Sequence, residues 1–156
     1  MKNYRVPTLT IAGSDSSGGA GIQADLKTFS AIGTYGMSVI TAITAQNTEG
    51  VFDVEELSSE IIKSQIKAVC EDIPPKAIKI GMVSSPKIIK DIVESLEIYP
   101  CEYVVVDPVM ISKSGYSLLR PEAKENLTKY LIPKAYIVTP NVPEAEEISN
   151  IKIKTI

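Results

Sequence analysis

The chain contains no histidine and no tryptophan, and it has only two phenylalanines and two cysteines. Without histidine, neither a Ser-His-Asp nor a Cys-His catalytic arrangement can be built, and most zinc sites are excluded. Cys70 and Cys101 make no CxxC pair and no disulfide framework, so they read as reduced structural thiols. A charge excess is also missing. Sixteen basic and 19 acidic side chains leave −3, which gives no electrostatic reason for a nucleic-acid partner. No apolar run approaches the roughly 20 residues of a membrane helix. The N-terminal segment lacks the pattern of a signal peptide. A cytoplasmic location is therefore the expectation. Chemistry in such a chain must come from carboxylates, backbone amides, lysine, hydroxyls or a cofactor.

What is present is an alternation of strand and helix signals within 156 residues, a length that suits one domain or a piece of one. Short β-branched apolar runs at 8–13, 38–46, 77–82, 103–107 and 136–139 predict five strands. Between them, apolar residues at helical spacing predict helices over 22–33, 58–73, from Ser85-Pro86 onward, over 121–132 and from 142. Ser58 and Ser85 read as N-caps, and Pro74-Pro75 ends the second helix. Most strands are apolar on both faces, which predicts a mainly parallel sheet covered by helices on both sides. The loops after the strands then share one edge, where ligands bind in open α/β sheets. Those loops carry the polar oddities SDSSGG, QNTEG, MVSS, DPVMISKSG and PNVPEAE.

The first of these loops is the informative one. In AGSDSSGGAGIQADLKT, Gly13 to Gly18 has the spacing of a phosphate-binding loop, but Gly19-Ala20 stands where Lys-Ser/Thr is required. Gly19 to Ala24 matches GxGxxA, without the acidic residue at the end of the second strand. Asp25 is placed near the first helical turn, where a carboxylate would repel a docked phosphate. The loop is therefore read as cradling a neutral group with donors, and the alternative is that Asp25 only stabilises the helix start. Gln46 offers a donor and an acceptor suited to a heteroaromatic edge, or it ties down a loop. Met82 suits a flat ligand or the core. Asp107, closing an apolar strand, needs a cation or donors. With Glu144 it forms a carboxylate pair of the kind that holds Mg²⁺, directly or through water, against nucleotide phosphates, although Glu144 also suits a helix N-terminus. Lys113 reaches an anion or is solvated.

Taken in order, TIAGSDSSGGAGIQADLKT, GMSVITAITAQNT, IKIGM, VVVDPVM with SKSG, and TPNVPEAE strongly resemble the hydroxymethylpyrimidine/phosphomethylpyrimidine kinases of thiamine biosynthesis, in the ribokinase-like superfamily. The resemblance covers essentially the whole chain. It implies a three-layer α/β/α fold and ATP- and Mg²⁺-dependent phosphorylation of 4-amino-5-hydroxymethyl-2-methylpyrimidine and then of its monophosphate. It also implies that Asp25 faces the substrate hydroxymethyl group and that Gln46 pairs with the ring. Gly13, Met82 and Val109 would line the pocket, and Asp107, Asn141 and Glu144 would form the Mg²⁺-ATP neighbourhood. Lys113 is assigned to the nucleotide, and a homodimer is carried over. The family continues past SNIKIKTI into a GTG[CD]-type loop that supplies the anion hole and the catalytic cysteine or aspartate. Residues 1–156 are therefore expected to be the N-terminal, substrate-binding part of one kinase domain, with no catalytic residue of their own and little or no activity alone. A pyridoxal kinase, a non-catalytic pyrimidine-binding module and a dinucleotide-binding domain are the competing readings.

Overall fold

Six strands, ordered β3-β2-β1-β4-β5-β6, form one sheet in the computed structural model, which describes residues 5–110 and 121–155. The strands are β1 (Pro7–Asp15), β2 (Tyr35–Gln46), β3 (Val51–Glu56), β4 (Ala77–Ile80), β5 (Tyr103–Val106) and β6 (Ile137–Val138). All neighbours pair in parallel except β2 and β3, which are antiparallel. The helices are α1 (Gly21–Ala31), α2 (Ser59–Asp72), α3 (Pro86–Ile98), α4 (Pro121–Asn126) and α5 (Val142–Ser149). After α4 the backbone continues through a π-helical turn, Leu127–Leu131, and a 3-10 turn, Ile132–Lys134.

The parallel α/β class expected from the sequence is present, and the five expected strands all form. The sixth, β3, was not expected. Its alternation is weak, and Phe52 points its apolar ring outward at 66% exposure. Helices 58–73 and 85 onward form as read. Ser58 Oγ accepts from the Ile61 amide at 3.4 Å, and Ser85 Oγ accepts from Ile88 at the same distance.

Strand alternation sorts the side chains into two faces. Leu9, Ile11, Val39, Ile78, Ile80, Val104 and Val106 are buried in one cluster with Ile62 and Ile66 of α2 and Ile88, Ile89 and Ile92 of α3. The intervening β1 residues face α1, since Thr10 Oγ1 donates to Asp25 at 2.6 Å. Between α2 and α3, the buried Asp91 accepts from Ser59 Oγ and pairs with Lys63 Nζ at 2.9 Å. Both cysteines are free, and burial pushes the Cys70 thiol up, which suits a structural role. Among the described residues no helix is long and apolar enough to cross a membrane.

The chain runs from β1 to β2 on one side and later returns to β4 on the other. This reversal opens a crevice at the carboxyl ends of β1 and β4, the place where open α/β sheets bind ligands. The β1–β2 register shifts between Ala12 and Ser14, so Gly13 sits at an irregularity facing that crevice.

Candidate functional site

A cavity of about 560 Å³ occupies the crevice. Its lining includes Gly13, Asp15, Asp25, Gln46, Lys79, Met82, Asp107 and Val109, drawn from the ends of β1, β2, β4 and β5 and from α1. Gly13, Asp25, Gln46, Met82, Val109 and Asp107, which the sequence singled out, thus share one space. Gly13 lets Met82 approach closely, since a Cβ on it would lie 2.4 Å from Met82 Cε and the methionine end would have to move. Gln46 closes β2, with Oε1 accepting from Thr44 Oγ1 at 3.2 Å. Met82 and Asp107 sit just past their strands rather than at the strand ends, and the Asp107 amide donates to Ile80 O at 2.8 Å.

The glycine-rich loop holds an anion, and the anion is its own. Asp15 is 2% exposed. Its Oδ1 accepts from the Ser17 amide at 2.9 Å and the Ser17 hydroxyl at 2.8 Å. Its Oδ2 accepts from the amides of Gly19 at 3.0 Å and Ala20 at 2.7 Å. The donors that a phosphate would use are therefore already engaged. The sequence reading missed this residue. The signal available was Asp followed two residues later by an amide that a side-chain carboxylate can close upon, the Asx-turn pattern. Burial pushes the Asp15 carboxyl up, but the hydrogen bonds from Ser17, Ala20 and Gly19 outweigh it and hold the group below its ordinary 3.8.

Asp25 requires a correction. It lies beyond the first turn of α1, which contains no acidic residue, so the helix start does not explain it. Its Oδ2 accepts from Thr10 at 2.6 Å and from Lys79 Nζ at 3.1 Å. Lys79 also stands 3.6 Å from Asp107 Oδ2. The sequence reading passed over Lys79 as part of the strand IKIGM, although a lysine inside an apolar strand needs an anionic partner.

Asn141 and Glu144 do not line the cavity. They form a capping box at the start of α5: Glu144 N donates to Asn141 Oδ1, and Asn141 N donates to Glu144 Oε2, both at 2.9 Å. Glu144 Oε1 also accepts from the Met110 amide at 3.4 Å, so this buried carboxylate ties the loop after β5 to α5. Asn141 and Glu144 thus serve as a helix cap outside the cavity lining, whereas Asp107 is part of that lining. Asn141→Ala is expected to cost about 1 kcal/mol, read as a lower urea midpoint at unchanged slope. Lys113 lies outside the described residues.

The family model for phosphomethylpyrimidine kinase matches residues 15–156. The chain belongs to the phosphomethylpyrimidine kinase family. A hydroxymethylpyrimidine/phosphomethylpyrimidine kinase of Bacillus subtilis is 51% identical over 148 residues, which cover 95% of this chain and 55% of that protein. Its counterpart in Rhizobium meliloti is 58% identical, over 88% of this chain and 51% of that protein. Among solved structures, a phosphomethylpyrimidine kinase from Clostridium difficile 630 superposes with a TM-score of 0.92 at 78% identity, over 97% of this chain and 65% of that one. A Staphylococcus aureus pyridoxal kinase, solved with AMP-PCP and pyridoxal, superposes with a TM-score of 0.85 at 41% identity, over 98% and 55%. The chain spans about half the length of the kinases it matches in sequence.

Members of a kinase family need a cation for nucleotide phosphates. Among the described residues no group of three or more carboxylates or thiols is placed to hold a metal ion. Asp107 fits one carboxylate of a Mg²⁺ ion completed by water and phosphate oxygens, which is how Mg²⁺ is commonly held in phosphoryl-transfer sites. Glu144 lies outside the lining of that cavity.

Proposed function

We propose that this chain forms the acceptor-binding part of an ATP-dependent kinase acting on 4-amino-5-hydroxymethyl-2-methylpyrimidine and its monophosphate. The observation that carries the reading is the convergence of Gly13, Asp25, Gln46, Met82 and Val109 on one cavity. Gln46 pairs its amide with the ring edge, and Met82 and Val109 pack on the ring faces. Asp25 directs its Oδ1 to the hydroxymethyl group, since Oδ2 already serves Thr10 and Lys79. Asp107 holds Mg²⁺, which when bound neutralises charge on the nucleotide phosphates. Lys113 contacts the nucleotide, and Asn141 offers it the side-chain nitrogen that its cap leaves unused. The anion hole belongs to the part of the relatives' length that this chain does not match.

The test is a calorimetric titration with the hydroxymethylpyrimidine, on the chain and on Gln46→Ala, after circular dichroism shows both folded. Micromolar binding is expected for the chain, with a loss of at least about thirtyfold in the variant, because a polar site left unpaired discriminates strongly. A coupled assay on the same chain is expected to show no turnover. Absence of binding to a folded chain would sink the reading. A second reading has its own observation, the likeness to the pyridoxal kinase from Staphylococcus aureus. Titration with pyridoxal separates the two, and tighter binding of pyridoxal would favour that reading.

A further inference from the structure

Lys79 is the one cationic side chain among the described residues that line the cavity, and it shares that space with three carboxylates, Asp15, Asp25 and Asp107. Asp15 is fully engaged by its loop. Lys79 rises from β4 between Ile78 and Ile80, which bury their side chains on the opposite face, and it pairs in register with Thr10 of β1. Its position is therefore set by the sheet rather than by a loop. An ammonium carries three donors. One is hydrogen-bonded to Asp25 at 3.1 Å. Asp107, at 3.6 Å, is at ion-pair rather than hydrogen-bond distance. Donor capacity thus remains, facing the cavity from the side of Asp25.

The relatives are named for two acceptors, a hydroxymethylpyrimidine and a phosphomethylpyrimidine. The first is neutral and needs no cation. The second places close to two negative charges where the alcohol stood. Resting on the proposed function, this means a phosphate set beside Asp25 and Asp107, where like charges repel strongly at short range. We infer that Lys79 determines acceptor specificity, letting one cavity take both the pyrimidine alcohol and its monophosphate. With the alcohol bound, the ammonium holds Asp25 toward the hydroxyl and balances Asp107. With the monophosphate bound, its remaining donors turn to the phosphate oxygens while the bond to Asp25 persists.

The inference is tested by titrating the chain, Lys79→Met, Lys79→Arg and Lys113→Met with the alcohol and with its monophosphate, in a metal chelator. Lys79→Met is expected to weaken the alcohol severalfold and the monophosphate by at least about thirtyfold more, the loss typical of removing one partner of a desolvated charge pair. Lys79→Arg is expected to restore most of the monophosphate affinity. Equal weakening of both ligands by Lys79→Met would overturn the inference, as would a selective loss found in Lys113→Met instead. Should Lys79→Met fail to fold, the salt dependence of the unmodified chain decides. Monophosphate affinity is expected to fall steeply with ionic strength while alcohol affinity stays flat, and two flat responses would overturn it. If the alcohol fails to bind but the monophosphate binds in a Lys79-dependent way, the pyrimidine-alcohol reading fails and the role of Lys79 stands. Binding of neither overturns both.

Discussion

Asp15→Ala is expected to lower folding stability by about 3 kcal/mol and to abolish pyrimidine binding. The carboxylate is the shared acceptor for three loop amides and one hydroxyl, and hydrogen bonds to a charged group contribute about 1.5–3 kcal/mol each. The sum is discounted because Ser17, Gly19 and Ala20 are exposed and can turn to water. Asp15→Asn is expected to fall between the two, since its amide keeps one acceptor oxygen. Urea denaturation at pH 6 reads the difference, and a shift under about 0.5 kcal/mol would contradict the proposed role. The acid side offers a second reading. The native carboxyl titrates below its ordinary 3.8. Its contribution is therefore complete above the unfolded value and is lost as the pH falls through the lower native one. The gap between Asp15→Asn and the parent chain should accordingly narrow below about pH 4.

Gly21→Ala is expected to be strongly damaging, costing about 3 kcal/mol or more. Gly21 opens α1 with φ at +55°, a conformation that residues with a Cβ adopt at a cost. A Cβ there would lie 2.3 Å from the Gly13 carbonyl oxygen and 3.3 Å from the Asp15 amide. Both neighbours are backbone, so neither can rotate away, and relief must displace the end of β1 that shapes the cavity. The melting temperature is expected to drop by at least about 6 °C for a domain of this size. A variant that melts within about 2 °C of its parent would show that the turn tolerates a side chain.

The strands that lie inside the sheet were legible because they are apolar or β-branched almost throughout, as in Leu9–Ala12 and Val104–Val106. At the β3 edge that signal fades. In β3, VFDVEE alternates poorly and exposes Phe52, so only its pairing with β2 reveals it. The site divided along a similar line. Residues at or just past strand ends, such as Gln46, Met82 and Asp107, were found because the topology sends those positions to the binding edge. Asp15 and Lys79 escaped because their roles depend on partners distant in sequence or in loop geometry: Lys79 meets Asp25 across 54 positions. Glu144 shows the opposite limit. Its two candidate roles, metal ligand and helix cap, call for the same residue at the same spacing, and only the bonds from the amides of Asn141 and Met110 reveal the cap.

The central position of β1 also fixes the order in which the chain can assemble during synthesis. Thr8 pairs with Gly36 on one side and with Ala77 on the other. β1 is thus completed on its second edge only after β4 has emerged. Until then β2 and β3 can close their antiparallel pair against β1, while the other edge of β1, carrying Leu9 and Ile11, waits for a partner far along the chain. Pairings of such long sequence separation are slow, and until they form the edge of β1 presents unpaired backbone N–H and C=O groups that are prone to mispairing. The arrangement that places the cavity at the switch between β1 and β4 therefore makes its walls depend on one of the long-range pairings of the sheet.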